Sequence, residues 1–396
     1  MTYRTAATYL YVLDSSEPLR NGFVEYDQDG VITAVGVSDD PSREPDFREG
    51  AIVPGFVNAH CHIELSHLCG RFRKGTGMAG FIDQINELRD CASPEDRMAA
   101  VSLRMDELWR QGVSAMADIS NCDESFAAKA ASPMYVRTFL EVFGTEPQDC
   151  DGVIASVREL KKRAEEWGLD AAPTPHSCYT MSPQLLTAAS AEALKAGWLS
   201  YHSQESPEEE EMVRYGSGAL YDNRRRAGMS TPPVTGKSSL MYFIDRLRAV
   251  HPAPFDEHIL LVHEVCLDEE SADAALAVMN NVYWALCPLS NLFIHDALPP
   301  VRMMRRKGLK LTIGTDSLSS NDTLDMVREM HCLQTAFPEV PFGEMLLWAC
   351  RNGAEFLSKG DMAGTLEPGK RPGIVLVKGL DRDGRLTAES SSERII

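Results

Sequence analysis

The sequence predicts an α/β fold, a (β/α)8 TIM barrel carrying a small β-sandwich built from both chain termini. Three observations predict it. From Ala51 onward, short apolar runs alternate with longer amphipathic stretches, the pattern of repeated βα units around a parallel sheet. Glycine directly follows the helical stretches, where a left-handed C-cap is needed. The two chain ends read differently, as short alternating strands separated by turn signals. At roughly 150 residues per domain, a chain of 396 residues has room for two or three domains.

Taken in order, residues 1–53 are assigned with 363–396 to the sandwich. Asp27-Gln28-Asp29-Gly30 and Glu367-Pro368-Gly369-Lys370 mark tight turns there, and two segments too small for separate cores most economically share one. Residues 54–362 form the barrel, whose strand candidates are 52–58, 114–119, 135–143, 171–176, 199–202, 259–265, 283–287 and 310–314. Helices are expected over 96–111, 153–167, 183–196 and 300–307, ending at Gly112, Gly168, Gly197 and Gly308. Eight βα repeats over about 300 residues suit a barrel with insertions. One insertion lies between His202 and His258, with helical stretches over 208–226 and 239–250. The acidic run 208–211 reads as a solvated first helical turn.

Composition narrows the function. With 58 acidic against 39 basic side chains, the formal charge of -19 repels a phosphate backbone, so no nucleic-acid partner is expected. No stretch approaches the roughly 18 consecutive apolar residues of a membrane span, and the first twenty residues hold no signal-peptide core, so a cytoplasmic protein with no membrane partner is expected. Ten cysteines without a CxxC pair favour reduced thiols over a disulfide framework.

The chemistry gathers at the predicted C-terminal ends of the strands, the face where barrel enzymes carry their reactive groups. His60 and His62 follow the first strand, and residues i and i+2 of an extended chain point the same way, so both imidazoles can reach one metal ion. His202 closes the fifth strand and Asp316 follows the eighth. Three imidazoles and a carboxylate suit one divalent ion, zinc first, with iron or manganese also admitted. A lone His-x-His is more often chance than a ligand pair. Several candidates ending different strands of one barrel favour the metal.

The runs Pro54-Gly55-Phe56-Val57-Asn58-Ala59-His60-Cys61-His62, Pro175-His176-Ser177-Cys178-Tyr179-Thr180, His202-Ser203-Gln204-Glu205, Val262-His263-Glu264-Val265, Cys287-Pro288-Leu289-Ser290-Asn291-Leu292 and Gly314-Thr315-Asp316 make the sequence resemble the amidohydrolase superfamily. The resemblance is to its branch of cytosine, guanine and adenosine-type deaminases and triazine chlorohydrolases. It spans nearly the whole chain; Cys61, where these proteins often have Thr, is a small departure. It implies that His60, His62, His202 and Asp316 bind one metal while Glu205 and His263 handle protons, with Asp316 sharing in activation of the water. Direct ligation remains the alternative for His263. The two-metal branch carries a bridging carboxylated lysine after strand four, but here that strand ends Pro173-Thr174-Pro175-His176, which favours a single ion.

A divalent ion lowers the pKa of its water from 15.7 towards about 7, and the resulting hydroxide can attack an amino-bearing ring carbon. Release of ammonia then needs a proton shuttle, the role that Glu205 suits. The resemblance further implies substrate contacts from His176 and Asn291. For His176 a core histidine is the plain alternative. Glu141, near the end of strand three, can meet a ribose hydroxyl or a cationic ring, or pair with an arginine. Ser320-Asn321-Asp322 reads as a helix start, though resembling proteins use such residues to hold the metal aspartate. Met78, Phe81 and Ile82 wall the pocket or simply pack. The expected activity is hydrolytic deamination of an aminated N-heterocycle, an adenine nucleoside or thionucleoside first. The alternatives are a chlorohydrolase or cyclic-amide hydrolase with the same site, and a silent scaffold, against which Glu205 argues. A small-molecule substrate is thus expected; a homodimer is suggested by the resemblance alone.

Overall fold

The computed structural model describes residues 1–396. Its first strands are β1 (Thr2–Leu10), β2 (Leu19–Asp27), β3 (Ile32–Val37) and β4 (Phe47–Pro54). The turn foreseen at residues 27–30 joins β2 to β3. Asp27 Oδ1 accepts the N–H groups of Asp29 and Val31, both at 2.9 Å, and Gly30 takes φ +80°.

Eight barrel strands follow: β5 (Phe56–Cys61), β6 (Val113–Ser120), β7 (Tyr135–Val142), β8 (Asp170–Pro175), β9 (Trp198–Ser203), β10 (Phe255–His263), β11 (Met279–Leu286) and β12 (Leu311–Ile313). They form two parallel arcs, β5-β6-β7-β8 and β9-β10-β11-β12. One seam is closed by a bridge between Cys61 and Asp316. At the other, Pro173 and Pro175 leave β8 short of N–H donors. Thr174 Oγ1 spans that gap, donating to Ser200 O at 2.6 Å and accepting Ser200 N–H at 2.9 Å. Alternate positions of the strands, Ala115-Ala117-Ile119, Leu260-Val262 and Tyr283-Ala285-Cys287, fill the barrel beside Phe356. The intervening positions, such as Leu261, Trp284 and Leu286, pack outward with helical Leu240, Phe243 and Leu247.

The chain returns through β13 (Ile374–Lys378) and β14 (Ser391–Arg394). Together with the first four strands they make one six-stranded sheet in the order β14-β13-β4-β1-β2-β3, so both termini build the body beside the barrel.

Three local expectations are corrected. The single strand expected over 52–58 is two, because β4 belongs to the terminal sheet and β5 to the barrel. Gly55 is the joint between them: a Cβ there would collide with the Ser114 hydroxyl and the Pro372 carbonyl. The helix expected over 208–226 is also two, Pro207–Tyr215 and Ala219–Arg226, broken where Gly216 and Gly218 adopt φ +63° and +91°. Finally, Ser320 starts no helix; the next one, Met326–Ala336, is capped by Asp325, which accepts Val327 N–H at 2.8 Å. No helix is long and apolar enough to cross a membrane. All ten cysteines are free thiols.

Candidate metal and catalytic site

Strand ends deliver the site's side chains. β5 carries His60 and passes His62 into a short 3-10 turn, β9 carries His202, β10 ends at His263, and Asp316 stands just beyond β12. Gln204, His263, Glu264 and Asp316 are non-glycine residues with φ of 46°, 79°, 57° and 55°. Such left-handed backbone costs about 1–3 kcal/mol per residue and persists only where surrounding contacts enforce it. Here they do. Asp316 N–H donates to His60 O at 3.0 Å, and Asp316 Oδ2 accepts the hydroxyls of Ser290 at 2.6 Å and Ser320 at 2.9 Å. Asn58 ties the same turn through Thr315 Oγ1 at 2.7 Å, and Asn321 donates to Thr315 O at 3.0 Å.

His62 Nε2 lies 3.2 Å from His60 Nε2 and 3.3 Å from His202 Nε2. Asp316 Oδ1 lies 3.6 Å and 3.8 Å from the Nε2 atoms of His62 and His60. Nitrogens held about 2.0–2.1 Å from a tetrahedral ion stand about 3.3–3.4 Å apart, so the imidazole spacing is that of a coordination shell. Burial holds His60 and His202 well below the usual imidazole range, neutral and with lone pairs to give. Burial alone would raise the Asp316 carboxyl, but His62, His263 and His60 outweigh it and keep it well below its ordinary value. His202 Nδ1 meets the His176 carbonyl at 3.3 Å and Glu141 Oε1 at 3.5 Å, which puts its proton there and turns the lone pair of Nε2 inward. The residues fit one divalent ion.

Glu205, three residues past His202, overlooks this cluster. Tyr179 donates its hydroxyl to Glu205 Oε2 at 3.1 Å, and Glu205 Oε1 lies 3.5 Å from His263 Nε2. Burial, reinforced by the charges of Asp316 and Glu209, pushes the Glu205 carboxyl well above the usual range. Burial also lowers His263 to about 4. Asn291, expected against substrate, stands behind His263 instead: it is fully buried and its Nδ2 lies 3.0 Å from His263 Nδ1. That donation leaves the proton of a neutral imidazole on Nε2, facing Glu205.

His176 does face the cavity. Its ring stacks on His202 with centroids 4.4 Å apart, and Ser177 and Thr180 hold Nδ1 at 2.7 Å and 2.9 Å. Burial lowers it to about 3. Glu141 pairs with no arginine; its neighbours are His202, His176 at 4.0 Å, and Asn121, which donates to Oε2 at 3.2 Å. Burial raises Glu141 to about 7.

The cavity above these groups measures about 340 Å³. Its inner end is His62, His202, Asp316, Glu205, Glu141 and His176. The outer end is walled by Met78, Phe81 and Ile82 of helix Gly77–Leu88 and by Leu220 of helix Ala219–Arg226. Arg89 and Arg224 reach the outer end too, and neither pairs with a carboxylate; Arg224 finds only the Met229 sulfur at 3.5 Å.

Sequence reasoning missed the carboxylates behind the site. Asp118, wholly buried, accepts Ile63 N–H at 2.9 Å, just after His62, and is itself paired with buried Lys129 at 2.5 Å. Glu64 holds Asn121 N–H at 2.9 Å, and Glu329 holds Leu289 N–H at 3.0 Å and Asn321 Nδ2 at 2.7 Å. The acidic run 208–211 opens a helix as expected, but not a wholly solvated one: Glu211 is exposed, whereas Glu209 is fully buried and Glu208 accepts Ala79 N–H at 2.7 Å from the facing helix. The one available signal was Ser206-Pro207-Glu208-Glu209, a capping-box pattern.

Comparison with known proteins bears on the family and the fold. The model of the amidohydrolase family matches residues 51–392. A 5-methylthioadenosine/S-adenosylhomocysteine deaminase of Syntrophomonas wolfei is 28% identical over 379 residues, covering 90% of this chain and 81% of that protein. An aminodeoxyfutalosine deaminase of Nitratiruptor is 27% identical over 334 residues, 82% of this chain and 78% of the other. The crystal structure of Helicobacter pylori aminofutalosine deaminase superposes with a TM-score of 0.78 at 22% identity, covering 96% of this chain and 93% of that one.

Proposed function

This chain belongs to the amidohydrolase family, and from that premise we propose that it is a metal-dependent hydrolytic deaminase of an aminated N-heterocycle, an adenine nucleoside or thionucleoside. The observation that carries the reading is Glu205, a carboxyl at the inner end of the cavity beside the three converging imidazoles, whose burial raises its affinity for a proton and so suits it to take one up and hand it on. Hydrolytic dechlorination makes less demand on such a group, because chloride departs without a proton. Ammonia requires protons on the ring nitrogen and on the leaving nitrogen.

The residues divide the work. His60, His62, His202 and Asp316 would hold one divalent ion, zinc by its preference for this donor set. When bound, that ion supplies an acidified water and a Lewis acid at the cavity floor. Glu205 receives a proton from the attacking water, passes it to the ring nitrogen, and later serves the departing amine. Tyr179 steadies Oε2 and leaves Oε1 free for this traffic. His263, fixed by Asn291, presents Nε2–H to the oxygen on which negative charge develops. His176 offers a neutral imidazole face and edge to the bound ring, and Glu141 keeps His202 oriented.

The outer cavity supports a finer reading. An arginine without an acceptor on a chain of net charge -19 is suited to an anionic group, so Arg89 and Arg224 favour substrates with a charged arm, as in S-adenosylhomocysteine, over neutral methylthioadenosine. The test is product analysis on zinc-loaded protein given adenine nucleosides, thionucleosides, free purines, aminotriazines, chlorotriazines and cyclic amides. Ammonia from an adenine nucleoside supports the reading. Chloride from a chlorotriazine, or a new carboxylate from a cyclic amide with no ammonia from any amine, would replace it.

A further inference from the structure

A helix cap alone does not explain the placement of Glu209. In a capping box the Ser side chain accepts the N–H of the Glu three residues on, and that Glu reaches back to the N–H of the Ser. The first half is present: Ser206 Oγ accepts Glu209 N–H at 3.1 Å. The second half is displaced. Glu209 Oε2 accepts the N–H of Glu205 at 2.8 Å, and Oε1 accepts the N–H of Gln204 at 3.2 Å, one and two residues before the cap. Gln204 is the residue with φ 46°, and Cys266 N–H fastens its carbonyl at 2.9 Å. An ordinary capping Glu sits at the surface. This one is fully buried, an expensive position for a carboxylate unless its hydrogen bonds hold something in return.

We propose that Glu209 is a positioning residue for proton transfer: its carboxylate clamps the two peptide units that aim Glu205 at the cavity floor. The proposal rests on the reading of Glu205 as the proton shuttle. It follows from geometry, because a left-handed turn at a glutamine relaxes once its enforcing acceptor is gone, and a side chain displaced by about 1 Å loses up to about a hundredfold in rate.

The test compares Glu209→Ala and Glu209→Gln with Ser206→Ala, which removes the helix cap but leaves the clamp on residues 204 and 205. In the zinc-loaded full chain, Glu209→Ala is expected to lower kcat for S-adenosylhomocysteine by about 10- to 100-fold with KM within about threefold and metal content retained, the range seen for supporting residues. Glu209→Gln, with one acceptor oxygen left, falls between. Ser206→Ala lowers the melting temperature with kcat within about twofold. Amide hydrogen exchange gives a second readout that needs no turnover: the Gln204 and Glu205 amides lose protection in Glu209→Ala and keep it in Ser206→Ala. Unchanged protection in Glu209→Ala, or kcat falling equally in both alanine variants, overturns the clamp. Lost protection in Glu209→Ala, in a protein whose wild type releases no ammonia, leaves the clamp standing and removes the deaminase reading.

Discussion

The inner and outer halves of the cavity are held by opposite means. The inner half comes from strand ends, its side chains are buried but for a half-buried His176, and they are restrained by partners: Asp316 by Ser290 and Ser320, His263 by Asn291, His202 by the His176 carbonyl. The outer half comes from helices in the connections after β5 and β9, is partly exposed, and leaves Arg89 and Arg224 without carboxylate partners. The difference follows from what each half must do. Bond-making tolerates little positional error, so it belongs on a sheet. Recognition of a variable substituent needs only rough complementarity and can sit on replaceable loops.

Substitutions can break or sharpen that contrast. The largest effect is expected from His202→Ala, which removes an inner ligand: metal measured after dialysis falls, activity disappears, and thermal stability no longer responds to added zinc. Glu205→Gln should keep the metal but lower kcat by about 10²–10⁴-fold, the span of general acid–base catalysis, as seen in ammonia release under saturating substrate. Asn291→Ala leaves every ligand in place and frees His263 to rotate or change tautomer; a loss of about 10- to 100-fold in kcat with near-normal KM is expected. Smallest is Arg224→Gln in the outer half, where the ratio of kcat/KM for S-adenosylhomocysteine over methylthioadenosine should drop by about tenfold. Should Arg224→Gln instead depress both substrates equally, the two halves are not separable in the way their construction implies.

What was legible varied with the physics of each element. The barrel strands were readable because buried parallel strands are apolar runs and their helices end at glycine. Errors fell at joints. Residues 52–58 look like one strand because apolar patterning does not change where a chain leaves one sheet for another, and only the crowding around Gly55 marks the change. The end of β10 came two residues early because His263 turns left-handed, a conformation no pattern of side chains announces. Within the site, His60 and His62 were legible through spacing. Tyr179, Asp118 and Glu64 were not, since a buried polar residue looks in sequence like an exposed one.

By itself, then, the sequence determined the repeated βα order, the acidic character, and which few residues stand at strand ends with metal-binding chemistry, because these depend on local periodicity and residue type. Only the tertiary structure decided that Asn291 faces His263 and not the cavity, that Glu141 orients His202, that two arginines meet no acceptor, and that Glu209 reaches past its own helix cap to Glu205. Those facts are distances between groups far apart in the chain, or directions taken by single side chains, and they exist only once burial has forced each polar atom to find its partner.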